Sequence, residues 1–209
     1  MTSFRPLALV LVILSFGAGF YYYPQLPERV ISHWNLAGEP NGTMIKFWGV
    51  FLFPFIGLGT FLLMQFLPKV DPMKKQNMDL FRRHFDVVVF VILLFLFYVQ
   101  WIAMLANSGH KFDMSSAIIP AMGALFLVIG AVVRHVEPNW FMGIRTPWTL
   151  SNKTVWTKTH QLGGTLFQMS GVLAFGGLIF ESYALWFVVI PVVASALVSF
   201  IYSYIIYAK

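Results

Sequence analysis

Val87-Val88-Val89-Phe90-Val91-Ile92-Leu93-Leu94-Phe95-Leu96-Phe97-Tyr98-Val99-Gln100-Trp101-Ile102-Ala103-Met104-Leu105-Ala106 decides the fold class. This run contains no charged side chain, and it matches the roughly 17–25 apolar residues that carry a helix across a bilayer core of about 30 Å. Its apolar residues are continuous and do not alternate, which points to a helix and not to a barrel strand. Five further runs read the same way: 6–23, 47–67, 117–133, 165–180 and 184–208. None has a charge in its interior, where one Lys or Asp costs about 2.5–3.5 kcal/mol on insertion scales. The first run has the outline of a signal peptide, but Tyr21-Tyr22-Tyr23 looks like an interfacial aromatic belt, so a retained helix is expected. Over the whole chain of 209 residues, 58% are hydrophobic and only 11% charged, too few charges to coat a water-soluble body. The absence of cysteine excludes disulfides, iron–sulfur clusters and thiolate zinc sites.

The connections set the direction of crossing. Eleven of the 14 basic residues fall on one side: Arg5, then Lys69, Lys74, Lys75, Arg82 and Arg83, then Arg134, Arg145, Lys153 and Lys158, and Lys209. Arg29, Lys46 and Lys111 fall on the other. Positive residues stay inside, so the expectation is an all-α, polytopic six-helix transmembrane bundle with both termini cytoplasmic. The net charge of +6 then faces anionic lipid, and no direct nucleic-acid binding is expected. No internal repeat is visible, which weakens a secondary-transporter reading. Gln65, Gln100 and Gln168 are the polar residues of the spans, and Gln100 is a candidate for hydrogen bonding between helices.

The loop over 24–46 lies outside. Val30-Ile31 suggest a short extended segment, and Asn35, Gly38 and Pro40-Asn41-Gly42 are turn chemistry. Two readings stand side by side: a compact interfacial loop held by Trp34, or a ligand-contacting loop in which His33, Trp34, Asn35 and Lys46 present their polar atoms outward. His33 and Glu39 alone do not make a metal site.

The loop over 134–164 lies inside. Pro138 and Pro147 break helix, and Ser151 is a plausible cap for a short helix running to His160 and ended by Gly163-Gly164. Such a helix, with Trp156 and Lys153, suits a membrane interface. Arg145 can fork onto helix C-terminal carbonyls, a lipid phosphate or Glu137, as a brace or as a ligand contact. His160 reads as an orienting hydrogen-bond partner and not as a catalytic base. With His33 and Glu39 outside and Glu137 and His160 inside, no acid–base constellation can assemble, so no enzyme, metal or cofactor is expected. Pro54, Pro120, Pro191 and Gly176-Gly177 are possible flexible points, and equally ordinary residues of membrane helices.

The string Gly143-Ile144-Arg145-Thr146-Pro147-Trp148-Thr149-Leu150-Ser151, with Val155-Trp156 and Thr159-His160, resembles the signature of the SdpI family. Leu26-Pro27, His33-Trp34-Asn35, Gly38-Glu39-Pro40-Asn41, Lys46 and Pro54 resemble the domain of unknown function that commonly precedes it. The resemblance implies a division into a two-helix unit, 1–67, and an SdpI-like four-helix unit, 68–209. It implies an integral membrane immunity and signalling protein. Such a protein protects against a secreted membrane-active peptide toxin and, when toxin is present, holds a cytoplasmic autorepressor at the membrane. On that reading His33, Trp34, Asn35 and Lys46 meet the toxin. Arg145, Thr146, Pro147, Trp148, Trp156 and His160 form the inner motif, and membrane lipids surround both. A small-molecule transporter or membrane enzyme with a polar intramembrane cavity is the alternative, and an envelope protein without a specific ligand is a third.

Overall fold

The computed structural model describes residues 4–35, 37–70 and 74–209, without the side chains of 68, 69 and 74–81. Those of Lys69, Lys74 and Lys75, counted above toward the basic side, therefore lie outside the described residues.

Among the described residues six long helices alternate in direction: α1 (Arg5–Tyr22), α2 (Lys46–Val70), α3 (Lys74–Asn107), α4 (Met114–Val133), α6 (Lys153–Ala174) and α7 (Trp186–Tyr207). A short helix, α5 (Pro147–Ser151), precedes α6. One end of the bundle gathers Ala8, Met64, Phe85, Val132, Met142 and Trp156 into a buried apolar cluster. The opposite end gathers Tyr22, Leu26, Val30, Val50 and Met104. Helices α1, α2 and α3 pack on one another, α6 lies between α4 and α7, and α3 against α4 joins the two groups. Five helices are long and apolar enough to cross a membrane, which makes the protein a multi-pass membrane protein.

Helix α6 departs from the expected fifth span. It starts at Lys153 and ends at Ala174, before a 3-10 turn over Phe175–Leu178. The polar residues Lys153, Lys158, His160 and Gln161 in its first half keep it out of the apolar five. It still runs the length of α4, because Gly130 meets Gly164 at one level and Gly123 meets Gly171 at another.

That contact also corrects the expectation that Gly163-Gly164 end a helix. The helix passes straight through them, and its cap is Asn152, whose Oδ1 accepts from the N–H groups of Thr154 and Val155, not Ser151. In a bundle of apolar helices the missing Cβ lets two backbones approach, and small residues favour such interfaces. A Cβ at Gly130 would sit 2.6 Å from the Gly164 carbonyl oxygen and 2.7 Å from the Gln168 backbone nitrogen, neither of which can rotate away. Gly130→Ala is therefore expected to cost about 1–3 kcal/mol, the usual range for overpacking. Gly17→Ala, where a Cβ meets nothing within 4 Å, should be neutral or slightly stabilising. Thermal unfolding of the two variants in detergent checks the contrast.

The bundle is not purely helical. The expected extended segment is β1 (Arg29–Trp34), and it pairs antiparallel with β2 (Pro40–Ile45) in a hairpin between α1 and α2. Arg29 lies opposite Ile45 and Val30 opposite Met44, and the register slips between Ile31 and Trp34. Gly38, at φ +74, takes the left-handed conformation inside the turn.

Two polar links tie the first three helices together. Gln100 is fully buried: its amide donates to the carbonyls of Ser15 and Val50, and Ser15 Oγ donates to its carbonyl. This is the interhelical bond expected of it. At the opposite end the Arg5 guanidinium reaches Asp86, 3.2 Å from Nε to Oδ2, and Gln65 Oε1, 3.3 Å from Nη1, so that α1, α2 and α3 are pinned at one point.

Candidate functional site

The hairpin roofs a cleft of about 670 Å³ between the α1–α3 group and the α4–α7 group. Its walls are Leu52 and Phe53 of α2, Val99 and Ala103 of α3, and Ile118, Ile119 and Met122 of α4. Its rim is polar but uncharged: Ser32, His33, Asn35, Asn41 and Ser115. At 1.5 Å of rise per residue, Val99 and Met122 place its floor about 12 Å below the helix ends. None of its lining residues belongs to the opposite half of the bundle, so it is a recess that ends partway down.

Of the four residues expected to face a ligand, His33, Trp34 and Asn35 line this cleft and Lys46 does not. Lys46 folds back: its Nζ donates to the Leu26 carbonyl at 3.1 Å, pairs with Glu28 at 3.2 Å and lies 4.8 Å over the Tyr23 ring. These contacts hold it beside the Tyr23 ring and away from the cleft. Asn35 organises the turn, its Oδ1 accepting from the N–H groups of Ala37 and Glu39 and its Nδ2 donating to Glu39 Oε2. His33 is exposed, with Nδ1 2.5 Å from Asn41 Oδ1. Sequence reasoning missed Asn107, whose side chain holds β1 in place: Oδ1 accepts from Ile31 N–H at 2.7 Å, and Nδ2 donates to the Ile31 carbonyl at 3.0 Å. Its partner lies 76 residues away, so no local signal marks it.

At the other end the segment 134–160 folds around a buried core. Asn139 organises the turn, Oδ1 accepting from Phe141 and Met142 N–H, and Nδ2 donating to the carbonyls of Glu137 and Met142. Thr146 caps α5 in a reciprocal capping box with Thr149, and its hydroxyl lies 3.2 Å from that of Ser203 on α7. Trp148 packs on Phe200 and Tyr204. Pro147 opens α5 and is exposed.

Trp156 and His160, expected on an aromatic interfacial face, are each 1% exposed. Four-residue spacing stacks their rings, 4.0 Å between centroids, and Trp156 Nε1 donates to the Val136 carbonyl at 2.8 Å. His160 accepts from the Ile144 N–H at Nε2, 2.9 Å, and donates from Nδ1 to the Trp156 carbonyl, 2.8 Å. Those partners fix the tautomer, and burial pushes the imidazole pKa down to about 4, against a smaller upward pull from the Trp156 carbonyl. His160 is thus a neutral brace, an orienting partner as its spacing suggested. A Cβ at Gly143, φ +110, would strike its Nε2.

Arg145 is exposed, and its Nη1 donates to the Trp140 carbonyl at 2.5 Å. Of the three partners open to Arg145 in the sequence, Glu137 is not the one it takes: Glu137 lies 3.6 Å from Lys153. Among the described residues no group of three or more His, Cys, Asp or Glu is placed to hold a metal ion.

The geometry therefore gives two separated sites, a recess under the hairpin and a braced motif at the far end. Comparisons with known proteins match two parts of the chain. Residues 135–203 match the model of the SdpI/YfhL protein family, and residues 10–58 match the domain of unknown function DUF1648. Over 204 residues, 97% of this chain and 95% of its counterpart, the chain is 24% identical to "Immunity protein SdpI" of Bacillus subtilis (strain 168). No solved structure matches it.

Proposed function

We infer that this chain, which belongs through residues 135–203 to the SdpI/YfhL family, is a membrane immunity protein. The observation that carries the reading is the likeness to a protein named for immunity along nearly all of both chains, which includes the hairpin end as well as the motif end. Two separated sites fit a protein that meets an agent on one face and reports it on the other. The hairpin faces outward, toward a secreted membrane-active peptide toxin, and the motif faces the cytoplasm. The positive-inside distribution of Lys and Arg supports that direction.

The recess favours binding over transport, because it ends partway down the bundle and no Lys, Arg, Asp or Glu lines it. At the inner end the exposed groups available to a cytoplasmic autorepressor are Trp140, Arg145, Lys153 and Lys158 beside Arg82 and Arg83. Thr146, Trp156 and His160 shape that surface from beneath and do not touch a partner. Transmission requires two arrangements of the bundle with different affinities for the toxin.

The test is expression of the chain in toxin-sensitive bacteria. Survival in the presence of toxin at the level of resistant cells is expected, and unchanged killing overturns the reading. Within that assay Arg145→Lys is expected to lower protection several-fold at equal abundance. Lysine can still reach the Trp140 carbonyl but loses the planar fork, whose other N–H groups are the ones left to bind a partner. Full protection by this variant would reduce Arg145 to a loop brace.

A further inference from the structure

We propose that the recess under the hairpin binds a short, extended, uncharged peptide segment, with the segment's main chain along the open edge of β1 and its apolar side chains in the cleft. The proposal rests on the outward peptide-binding role given above and names the occupant of that site.

Three observations carry it. The first is the strand edge. Lys46 N–H bonds the Glu28 carbonyl across the hairpin, and Val30 lies opposite Met44, so the N–H and C=O of Ile31 point away from β2. The Asn107 side-chain amide takes both of them. An amide group already does at Ile31 what an added strand would do further along. From Ile31 to Asn35 every residue of the chain borders the cleft. Side chains of a strand leave alternately on opposite faces, so a cavity that touches five in a row runs along the edge. An unpaired edge is a template for a further strand, with affinity from main-chain hydrogen bonds and selectivity from pockets for alternate side chains.

The second observation is the wall. Leu52, Phe53, Val99, Ile118 and Met122 form an apolar trough directly below that edge, where every second side chain of an added strand would point. The cleft of about 670 Å³ holds a few large side chains. The third is charge. No Lys, Arg, Asp or Glu lines the cleft. A phospholipid phosphate is recognised by cationic donors, and none lines the cleft; Lys46, at the foot of the hairpin, is paired with Glu28. A neutral amide chain needs only the donors and acceptors that β1, Asn35, Asn41 and Ser115 provide.

The test uses the full chain in phosphatidylcholine nanodiscs. The probe is a fluorescent, end-blocked decapeptide of alternating leucine and serine, beside a second copy N-methylated at every other residue. Saturable binding of the first and at least tenfold weaker binding of the second are expected, since methylation removes the N–H groups that pair with a strand. Ile118→Trp fills the trough and should weaken binding at least tenfold with an unchanged melting temperature. Val99→Trp, from the facing helix, serves if that variant does not fold. Equal binding of both peptides, binding that survives a tryptophan in the trough, or phospholipid that copurifies in the cleft and is not displaced by peptide would each overturn the proposal. Survival in the protection assay is read separately. Protection retained by a tryptophan variant that no longer binds peptide would overturn the recess as the place where the toxin is met, and absence of protection by the native chain overturns the immunity reading alone.

Discussion

Arg5→Met is expected to destabilise the protein by about 3–5 kcal/mol, the range found when one partner of a buried ion pair is removed. The reason is what remains. Asp86 is 5% exposed and its carboxylate faces the Arg5 guanidinium, with Gln65 as the third member. Without Arg5 a carboxylate stays at the end of an apolar span with no cation to balance it, and the desolvation of that lone charge outweighs the packing gained from methionine. Removal of both charges, as Arg5→Met with Asp86→Leu, should recover most of the loss, because an ion pair replaced by packed apolar side chains is often nearly neutral. Unfolding in detergent of the single and double variants measures the difference. A single variant as stable as the native chain would mean that α1, α2 and α3 are held at this end by apolar packing alone.

Acidification provides the second large effect. The folded pKa of His160 lies near 4 and its ordinary value is 6.5, so the unfolded chain binds the proton more readily. Stability from this group is present above about pH 6.5 and is lost as pH falls toward 4, by on the order of 3 kcal/mol in full. The structural cause is the Ile144 N–H aimed at Nε2: a protonated Nε2 would place two N–H groups against each other. His160→Phe removes the proton-dependent part of the curve. It also leaves that N–H unpaired inside the motif, a loss of about 1–3 kcal/mol at neutral pH. Melting temperature against pH for both chains checks this. Parallel curves between pH 6.5 and 4 would contradict the neutral, braced imidazole.

Much of the architecture was legible because insertion into lipid demands long uncharged runs, and runs such as Val87–Ala106 have few other readings. The turn residues Asn35 and Gly38 marked where the hairpin reverses, whereas Pro40-Asn41-Gly42, expected as turn chemistry, open the strand β2. The docking of the hairpin on the bundle was less legible, since β1 is held by Asn107, far along the chain. Gly163-Gly164 misled for a physical reason: the same absence of Cβ that ends a helix in water permits close packing in a bundle, and only the facing Gly130 and Ser199 decide which applies. Trp156 and His160 had the right spacing for a stack, but periodicity does not say whether a face meets solvent or the collapsed segment 136–144. The cleft was not legible at all, because its walls come from three helices and a strand. The pairing of Arg5 with Asp86 was not legible either, because it appears only when three helix ends converge.

The central claim is that the hairpin and the braced motif face opposite aqueous compartments. The chain contains no cysteine, so single cysteines introduced at two exposed positions, Asn41→Cys and Lys158→Cys, report without background. In intact cells a membrane-impermeant maleimide should label position 41 fully and position 158 only after permeabilisation. Labelling of both positions in intact cells, or of 158 before 41, would contradict it.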